Sequence, residues 1–376
     1  MNFAFDEQQT SLGDTVARLL ADHTALLAPD LSGDGALPAW DALAELGLFA
    51  MMVPEEHGGA GLGAIDLALS VEAMGAHLAP PAAVEALLVT DLLVRHGTAA
   101  QQHEYLPRIA AGELRVAVAM AEQGADDAPE SAQASVSGGV LNGSKVLVAE
   151  GARADLFAVL VQSGTGPAIY LVAADAAGVS VRLHEDIDPT CALAAVTFDG
   201  VVLGPDALVG PASPGRAVDR LFDGGAALLS CLLTGIAGHM LATAVDYART
   251  REQFGQAIGS FQSIKHRCAD MAVAVDAARS ATYYAVWALS EDAPDRARAV
   301  SMAKAYAGEV ARTVCNEAIQ VHGGMGFTWE LGLHRFLRRA KVIEHTFGCS
   351  TWHNERVLAE TLRMLEGGEA SQQAAA

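Results

Sequence analysis

The sequence predicts an α+β chain in three parts: an N-terminal helical domain over residues 1–112, a middle antiparallel β-domain over 113–212, and a C-terminal four-helix bundle over 213–376. Three observations predict it. Apolar residues recur at three- and four-residue spacing up to about Gly112, give way to short β-type runs, and then resume the helical period in longer stretches. In the first part, Gln8 to Ala21, Ala39 to Gly47, Ile65 to His77 and Val84 to His96 carry the helical pattern. Pro54 to Gly63, Pro80-Pro81 and Gly97-Thr98 punctuate it. In the middle, Arg115 to Ala119, Lys145 to Val148, Leu156 to Val161, Ile169 to Val172, Val179 to Leu183 and Ala195 to Phe198 read as strands. Gly138-Gly139, Asn142-Gly143 and Gly164 to Pro167 are the turns, and such spacing suits an antiparallel barrel or sandwich. A boundary loop, Gly210 to Gly215, leads into helices over Ala217 to Arg249 and Ser260 to Leu289. A third runs from the start signal Asp292-Ala293-Pro294 to about Val321, a fourth over Leu331 to Leu365, and a frayed tail follows from Gly367.

Composition narrows the function. With 51% hydrophobic but only 6% aromatic residues, the chain favours closely packed helices. Its 45 acidic residues exceed its 24 basic ones, a formal charge of −21 with no basic stripe, which argues against nucleic acid as a partner. Five scattered cysteines without a CxxC pair indicate neither a disulfide framework nor a thiolate metal site. The start, Met1 to Glu7, lacks a basic region and an apolar signal core, so the expectation is a cytoplasmic protein. The segment Gly224 to Val245 carries no formal charge and has the length of a membrane span. Ser230, Thr234, His239 and its glycines make a buried bundle helix the better reading, without membrane insertion.

Two segments carry specific chemistry. One is Tyr247-Ala248-Arg249-Thr250-Arg251-Glu252-Gln253-Phe254-Gly255, continuing to Phe261-Gln262 and Ala269-Asp270-Met271; the other is Gln320-Val321-His322-Gly323-Gly324-Met325-Gly326-Phe327. Arg251 offers a planar, permanently charged fork suited to pyrophosphate. Gly323 and Gly324 would let backbone approach a nucleotide, and Gln262 and Gln320 could serve ribose or adenine edges. Taken alone, these residues read more readily as a surface cation and a helix C-cap with its turn. Together with Val53-Pro54-Glu55-Glu56-His57-Gly58-Gly59-Ala60-Gly61, Gly97-Thr98 and Tyr105-Leu106-Pro107, in this order, they make the chain resemble the acyl-CoA dehydrogenase family along its whole length.

That resemblance implies FAD as cofactor, held across a subunit interface. Arg251, Phe254, Gln262, Gln320, Val321, Gly323 and Gly324 would grip the ADP half of a flavin seated mainly in the neighbouring chain. The family reaction removes an α-proton from an acyl-CoA thioester while the β-hydrogen leaves as hydride to the flavin. Most members take the proton with a Glu that corresponds here to Phe347, and others with a Glu that corresponds to Gly225. Neither can accept a proton, so the expectation is no catalytic residue in this chain. Asp223 lies two residues from Gly225, which turns a helical side chain by about 200°. Glu344 and His345 are likewise out of phase with Phe347.

The middle part departs similarly. Where the family carries Thr-Glu-Pro-Gly-Ala-Gly-Ser, this chain has Ala121-Glu122-Gln123-Gly124-Ala125-Asp126-Asp127, putting an acid where a substrate-facing Ser is expected. Where it carries Lys-x-Trp-Ile-Thr-Asn-Gly, this chain has Lys145 to Gly151, with Leu147 for the stacking Trp and Ala149 for the Thr. Losses fall on residues that hold a flavin ring in cis, whereas residues reaching across in trans remain. The pattern is similar to bacterial heterotetramers in which two different chains share half the usual number of active sites, notably in steroid side-chain degradation. The expectation is therefore a subunit of an FAD-dependent acyl-CoA dehydrogenase, with a second subunit supplying the catalytic Glu and most of the acyl-CoA site, and electron-transfer flavoprotein as acceptor. The alternatives are a homo-oligomeric enzyme with Glu344, His345 or Asp223 as an atypical base, and a non-enzymatic binding or scaffold relative.

Overall fold

The computed structural model describes residues 5–23, 38–125, 128–185, 188 and 190–374. Helices α1 (Glu7–His23), α2 (Pro38–Glu45), α3 (Ala68–Ala76), α4 (Pro81–His96) and α5 (Ala99–Ala110) form the first part. α4 opens on Pro81, where a missing N–H costs nothing. α5 opens on a capping box: the Gln101 amide donates to Thr98 Oγ1 (3.2 Å), and the Thr98 amide donates to Gln101 Oε1 (2.9 Å). The same Gln101 donates through Nε2 to Asp206 O (2.7 Å) and Leu208 O (3.1 Å), pinning these helices to the end of the sheet.

The sheet holds β1 (Val116–Ala119), β2 (Ser135–Ser137), β3 (Val140–Val148), β4 (Leu156–Ser163), β5 (Gly166–Ala173), β6 (Val179–Leu183) and β7 (Ala194–Val202). It is mixed, which corrects the expectation of a purely antiparallel domain. Hairpin partners such as β4 and β5 do run antiparallel, with Leu156 opposite Ala173. β1 and β2, however, take successive stretches of the other edge of β4 and run parallel to it, at Val116↔Leu156 and Ser135↔Gln162. Neither is joined to β4 by a tight turn, so nothing obliges them to reverse direction. β2, only Ser135-Val136-Ser137, is too short and polar to announce itself in the sequence.

The last part comprises α6 (Pro214–Thr250), a two-stranded hairpin of β8 (Glu252–Gln253) and β9 (Gln256–Ala257), α7 (Gln262–Ser290), α8 (Arg296–His322), α9 (Leu333–His345) and α10 (Ser350–Ala374). The single helix expected over Leu331 to Leu365 is broken. Phe347 (φ +57°) and Gly348 (φ +97°) adopt left-handed backbone, which ends α9 and redirects the chain into α10. The expected frayed tail is helical as far as Ala374. α6 passes the length and composition test for a membrane span, yet 67% of its most apolar stretch is buried. It packs against α3, α4, α7, α8 and α9 and forms the axis of the main core. Gly75 and Gly235 make the α3–α6 crossing: a Cβ on Gly75 would sit 2.1 Å from Leu232 O, and one on Gly235 1.9 Å from Glu72 O. Arg220 of α6 clamps α4 by donating to both oxygens of buried Asp91 (2.6 and 2.7 Å) and reaches Leu289 O at 2.8 Å.

Candidate functional site

A cavity of about 560 Å³ opens where the three parts meet. α4 supplies Val84, Glu85 and Leu88, the sheet supplies Val118, Leu147, Ala149 and Leu160, and α6 supplies Phe222, Gly225 and Leu229. The segment from Arg339 to Gly348 closes the remaining side, and Phe347 enters the lining from the α9–α10 break.

Phe347 and Gly225, far apart in sequence, are in direct contact. A Cβ on Gly225 would lie 2.4 Å from Phe347 Cδ1 and 2.5 Å from its Cε1, so the absent side chain of one position is occupied by the ring of the other. Phe222 packs on the same ring edge-to-face at 5.9 Å. The loop carrying Phe347 is held from behind. Buried Lys304 donates to Glu344 O (3.0 Å) and Gly348 O (3.2 Å). His353 lies with Nε2 2.9 Å from Phe347 O. Burial and the Lys304 ammonium push His353 down to about 3, so the ring is neutral and its one proton is on Nε2, donating to that carbonyl.

The other acidic candidates are engaged elsewhere. Asp223 is fully buried and paired with Arg296 (2.8 Å) and Arg356 (2.7 Å), off the cavity wall. Glu344 pairs with Arg312 (3.1 Å) and is also off the wall. His345 does reach the lining, from an exposed position. Asp127, the expected replacement for a substrate-facing Ser, lies outside the described residues, as does Asp126.

The strand wall keeps its anchor without its ring-facing groups. Lys145 is wholly buried, donates to Met120 O (3.1 Å) and forms an ion pair with Glu122, which in turn accepts from the Ala134 amide (2.9 Å). This fixes β3 against the segment after β1. Two residues on, the β3–β7 register shifts between Lys145 and Val148, and Leu147 sits in the shift at φ +55°. Leu147 and Ala149 then present only hydrocarbon to the cavity, so no side chain there can stack on or hydrogen-bond to a flavin ring.

The second constellation lies at the far end of the bundle. Tyr247 stacks on His322 with centroids 4.2 Å apart, bringing the C-terminus of α6 beside the C-terminus of α8. Arg251, just past α6, is exposed, and its side chain has no protein partner among the described residues. Gln262 opens α7, and Gln320 lies in the last turn of α8; both are exposed. Gly323 (φ +59°) and Gly324 face open space where a Cβ would project, a concavity that any larger residue would fill. Phe254 caps the β8–β9 hairpin at 92% exposure. Val321 departs from this group: its side chain is buried in the core, which leaves only its backbone for a ligand.

Two acids, one half-buried and one buried, escaped the sequence reading. Glu85 interrupts the apolar face of α4, and its signal was a lone carboxylate in the run Ala82 to Val89. Glu150, at φ +48° beside Ala149, is 3% exposed and has one carboxylate oxygen without a hydrogen-bond partner. Burial raises its pKa to about 7 despite the nearby Arg153, Arg339 and Arg115. Its signal was an acid next to an Arg-flanked turn, which reads as surface.

Comparison with known proteins matches residues 6–113 to the family model described as acyl-CoA dehydrogenase, N-terminal domain, and residues 215–362 to its C-terminal counterpart. YngJ of Bacillus subtilis, named a probable acyl-CoA dehydrogenase, is 31% identical over 93% of this chain and 97% of its own length. Among solved structures, a chain of the ChsE4-ChsE5 complex from Mycobacterium tuberculosis is 26% identical. It superposes with a TM-score of 0.88 over 96% of this chain and 99% of its own. A chain described as the Tcur3481-Tcur3483 steroid ACAD is 29% identical, with a TM-score of 0.85 over 96% and 99%.

Proposed function

From the premise that this chain belongs to the acyl-CoA dehydrogenase family of oxidoreductases, we propose that it is the base-lacking subunit of a heteromeric FAD-dependent enzyme that dehydrogenates an acyl-CoA at its α,β positions. The observation that carries this reading is the mutual filling of Gly225 and Phe347, which leaves neither usual base position able to present a carboxylate. The intact far-end constellation gives the chain its remaining part. Arg251 would pair with the pyrophosphate, Gln262 and Gln320 would serve ribose or adenine, and the Gly323-Gly324 concavity would admit the nucleotide. FAD, when bound, supplies the hydride acceptor. The ring and the Glu base belong to the partner subunit in this reading. The resemblance to the ChsE4-ChsE5 complex and to a steroid ACAD supports a two-chain assembly and a bulky, steroid-type acyl group. An electron-transfer flavoprotein would reoxidise the complex.

Exposed aromatic surface beside the constellation supports the interface. Phe254, Phe327 and Trp329, all within or just beyond the two motif segments, are 92%, 76% and 63% exposed. The test is flavin quantitation on this chain alone and after co-expression with the second subunit. The expected result is negligible flavin alone, and one flavin per pair of chains together. One flavin per chain, with turnover by this chain unaided, overturns the reading. A second reading rests on His345 at the cavity rim as an atypical base; loss of turnover by the lone chain on His345→Gln would favour it.

A further inference from the structure

We propose that the cavity of this chain binds a neutral, mainly hydrocarbon ligand bearing one hydrogen-bond-accepting oxygen, and that Glu85 recognises that oxygen. The proposal stands apart from the flavin reading, because it concerns the cavity and not the far end of the bundle. Glu85 is on the cavity-facing side of α4 between Val84 and Leu88. Its Oε2 accepts the Val118 amide at 2.9 Å, closing a donor that edge strand β1 leaves open. Oε1 has no partner among the described residues. Glu85 is half-buried, and as part of the cavity lining it turns its remaining surface to the cavity rather than to bulk water.

A carboxyl in this position needs either a cation or a proton. Among the described residues, no hydrogen bond or ion pair joins a basic residue of the cavity lining to it. Arg339, on the cavity wall, is committed to Asp188 (2.7 Å), the Ala79 carbonyl (2.9 Å) and Thr190 (2.6 Å). Lys341, the other basic residue of the lining, is exposed and lies 3.6 Å from Glu344. Burial raises the Glu85 carboxyl well above the usual range, the Val118 amide offsets part of that, and the Glu150 charge adds to it. With one oxygen taken by the Val118 amide, hydrocarbon around it and burial raising its pKa, the carboxyl is favoured in its protonated form, whose O–H would donate into the space. Val84, Leu88, Val118, Leu160 and Leu193 offer nothing but hydrocarbon around it. At 560 Å³ the volume is within the roughly 300–1,000 Å³ of small-molecule sites. Within this apolar patch a protonated Glu85 favours a ketone, ester or hydroxyl oxygen on an apolar body over a carboxylate, while Lys341, His345 and Thr346 line the other side of the cavity.

A purely structural Glu85, which only ties α4 to β1, makes a different prediction, and a matched series separates the two. The purified full-length chain is titrated by calorimetry with cyclododecanone, cyclododecane and dodecanoate, in the wild type, Glu85→Gln and Glu85→Leu. The wild type should prefer the ketone to the hydrocarbon by about 3- to 10-fold, the worth of one net hydrogen bond, and should bind dodecanoate most weakly. Glu85→Gln can accept from Val118 and still donate into the cavity, so it should keep the preference. Glu85→Leu should lose the preference while still binding cyclododecane, which also shows that the cavity has survived. Equal affinity for ketone and hydrocarbon in the wild type overturns the proposal, as does tightest binding of dodecanoate, no binding of any of the three, or an undiminished preference in Glu85→Leu.

Discussion

Gly225→Ala is the smallest change that probes the closed base site. On helix propensity alone it should stabilise α6 by roughly 1 kcal/mol, since alanine is the better helix former. Here the new methyl would lie 2.4–2.6 Å from three ring atoms of Phe347, well inside contact distance. The ring cannot simply withdraw, because Phe222 packs on it and the loop behind is pinned by Lys304 and His353. Overpacking of this kind costs about 1–3 kcal/mol, enough to cancel or reverse the propensity gain. In a Phe347→Ala background the obstruction is gone and the gain should reappear. The coupling energy of the double-mutant cycle should therefore be about 1–3 kcal/mol. Urea midpoints of the four proteins, at fixed concentration and with their slopes compared, measure it. Additivity within about 0.5 kcal/mol would refute the claim that these two positions fill one another's space.

Glu150→Gln tests the buried carboxyl. A folded-state value of about 7 against the ordinary 4.5 makes the native form the better proton binder, so stability is highest below pH 4.5 and falls as pH rises toward 7. A shift of this size corresponds to at most about 3 kcal/mol, which the variant should regain relative to wild type between those pH values; a pH-independent difference would contradict it. Arg220→Ala should destabilise by about 3–5 kcal/mol by stranding buried Asp91, whereas Arg220→Met with Asp91→Leu should recover much of the loss in thermal unfolding. Arg251→Ala should weaken flavin retention by the co-purified complex about 10- to 100-fold while leaving the unfolding midpoint unchanged, because the side chain is exposed and contacts no other described side chain.

Periodicity made the long helices legible because a buried stripe leaves its mark on every turn. α6 was readable as core even though it is apolar enough for a membrane, since its polar residues and glycines fit a crossing helix such as the one Gly75 and Gly235 permit. The parallel placement of β1 and β2 on β4 was not legible, for it depends on which edge a strand reaches after a long connection. The α9–α10 break was also missed. Ile343 to Phe347 continues an apolar pattern, and only Gly348 hinted that two residues would turn left-handed. At the site, motif alignment suggested Phe347 and Gly225 as the two base positions, but their contact could not be read, because it joins residues more than a hundred positions apart. Glu85 was hidden for a different reason: an acid on an amphipathic helix ordinarily faces water.

The distribution of what is kept and what is replaced is the ground of the proposed division of labour. Lys145 and Glu122 still form their buried pair, so the strand wall retains its geometry even where Leu147 and Ala149 carry no ring-facing chemistry. Breaking that pair would leave an unpartnered buried charge at a cost of several kcal/mol, so stability alone holds the wall in place whatever its side chains do. Phe254 is held at the tip of a hairpin at φ +53° and 92% exposed, with an edge contact to Phe261. Strain and exposure at one residue are tolerated when a surface outside the chain repays them. On the proposed reading, the far end of the bundle would meet a second molecule, and the central cavity would hold an apolar ligand.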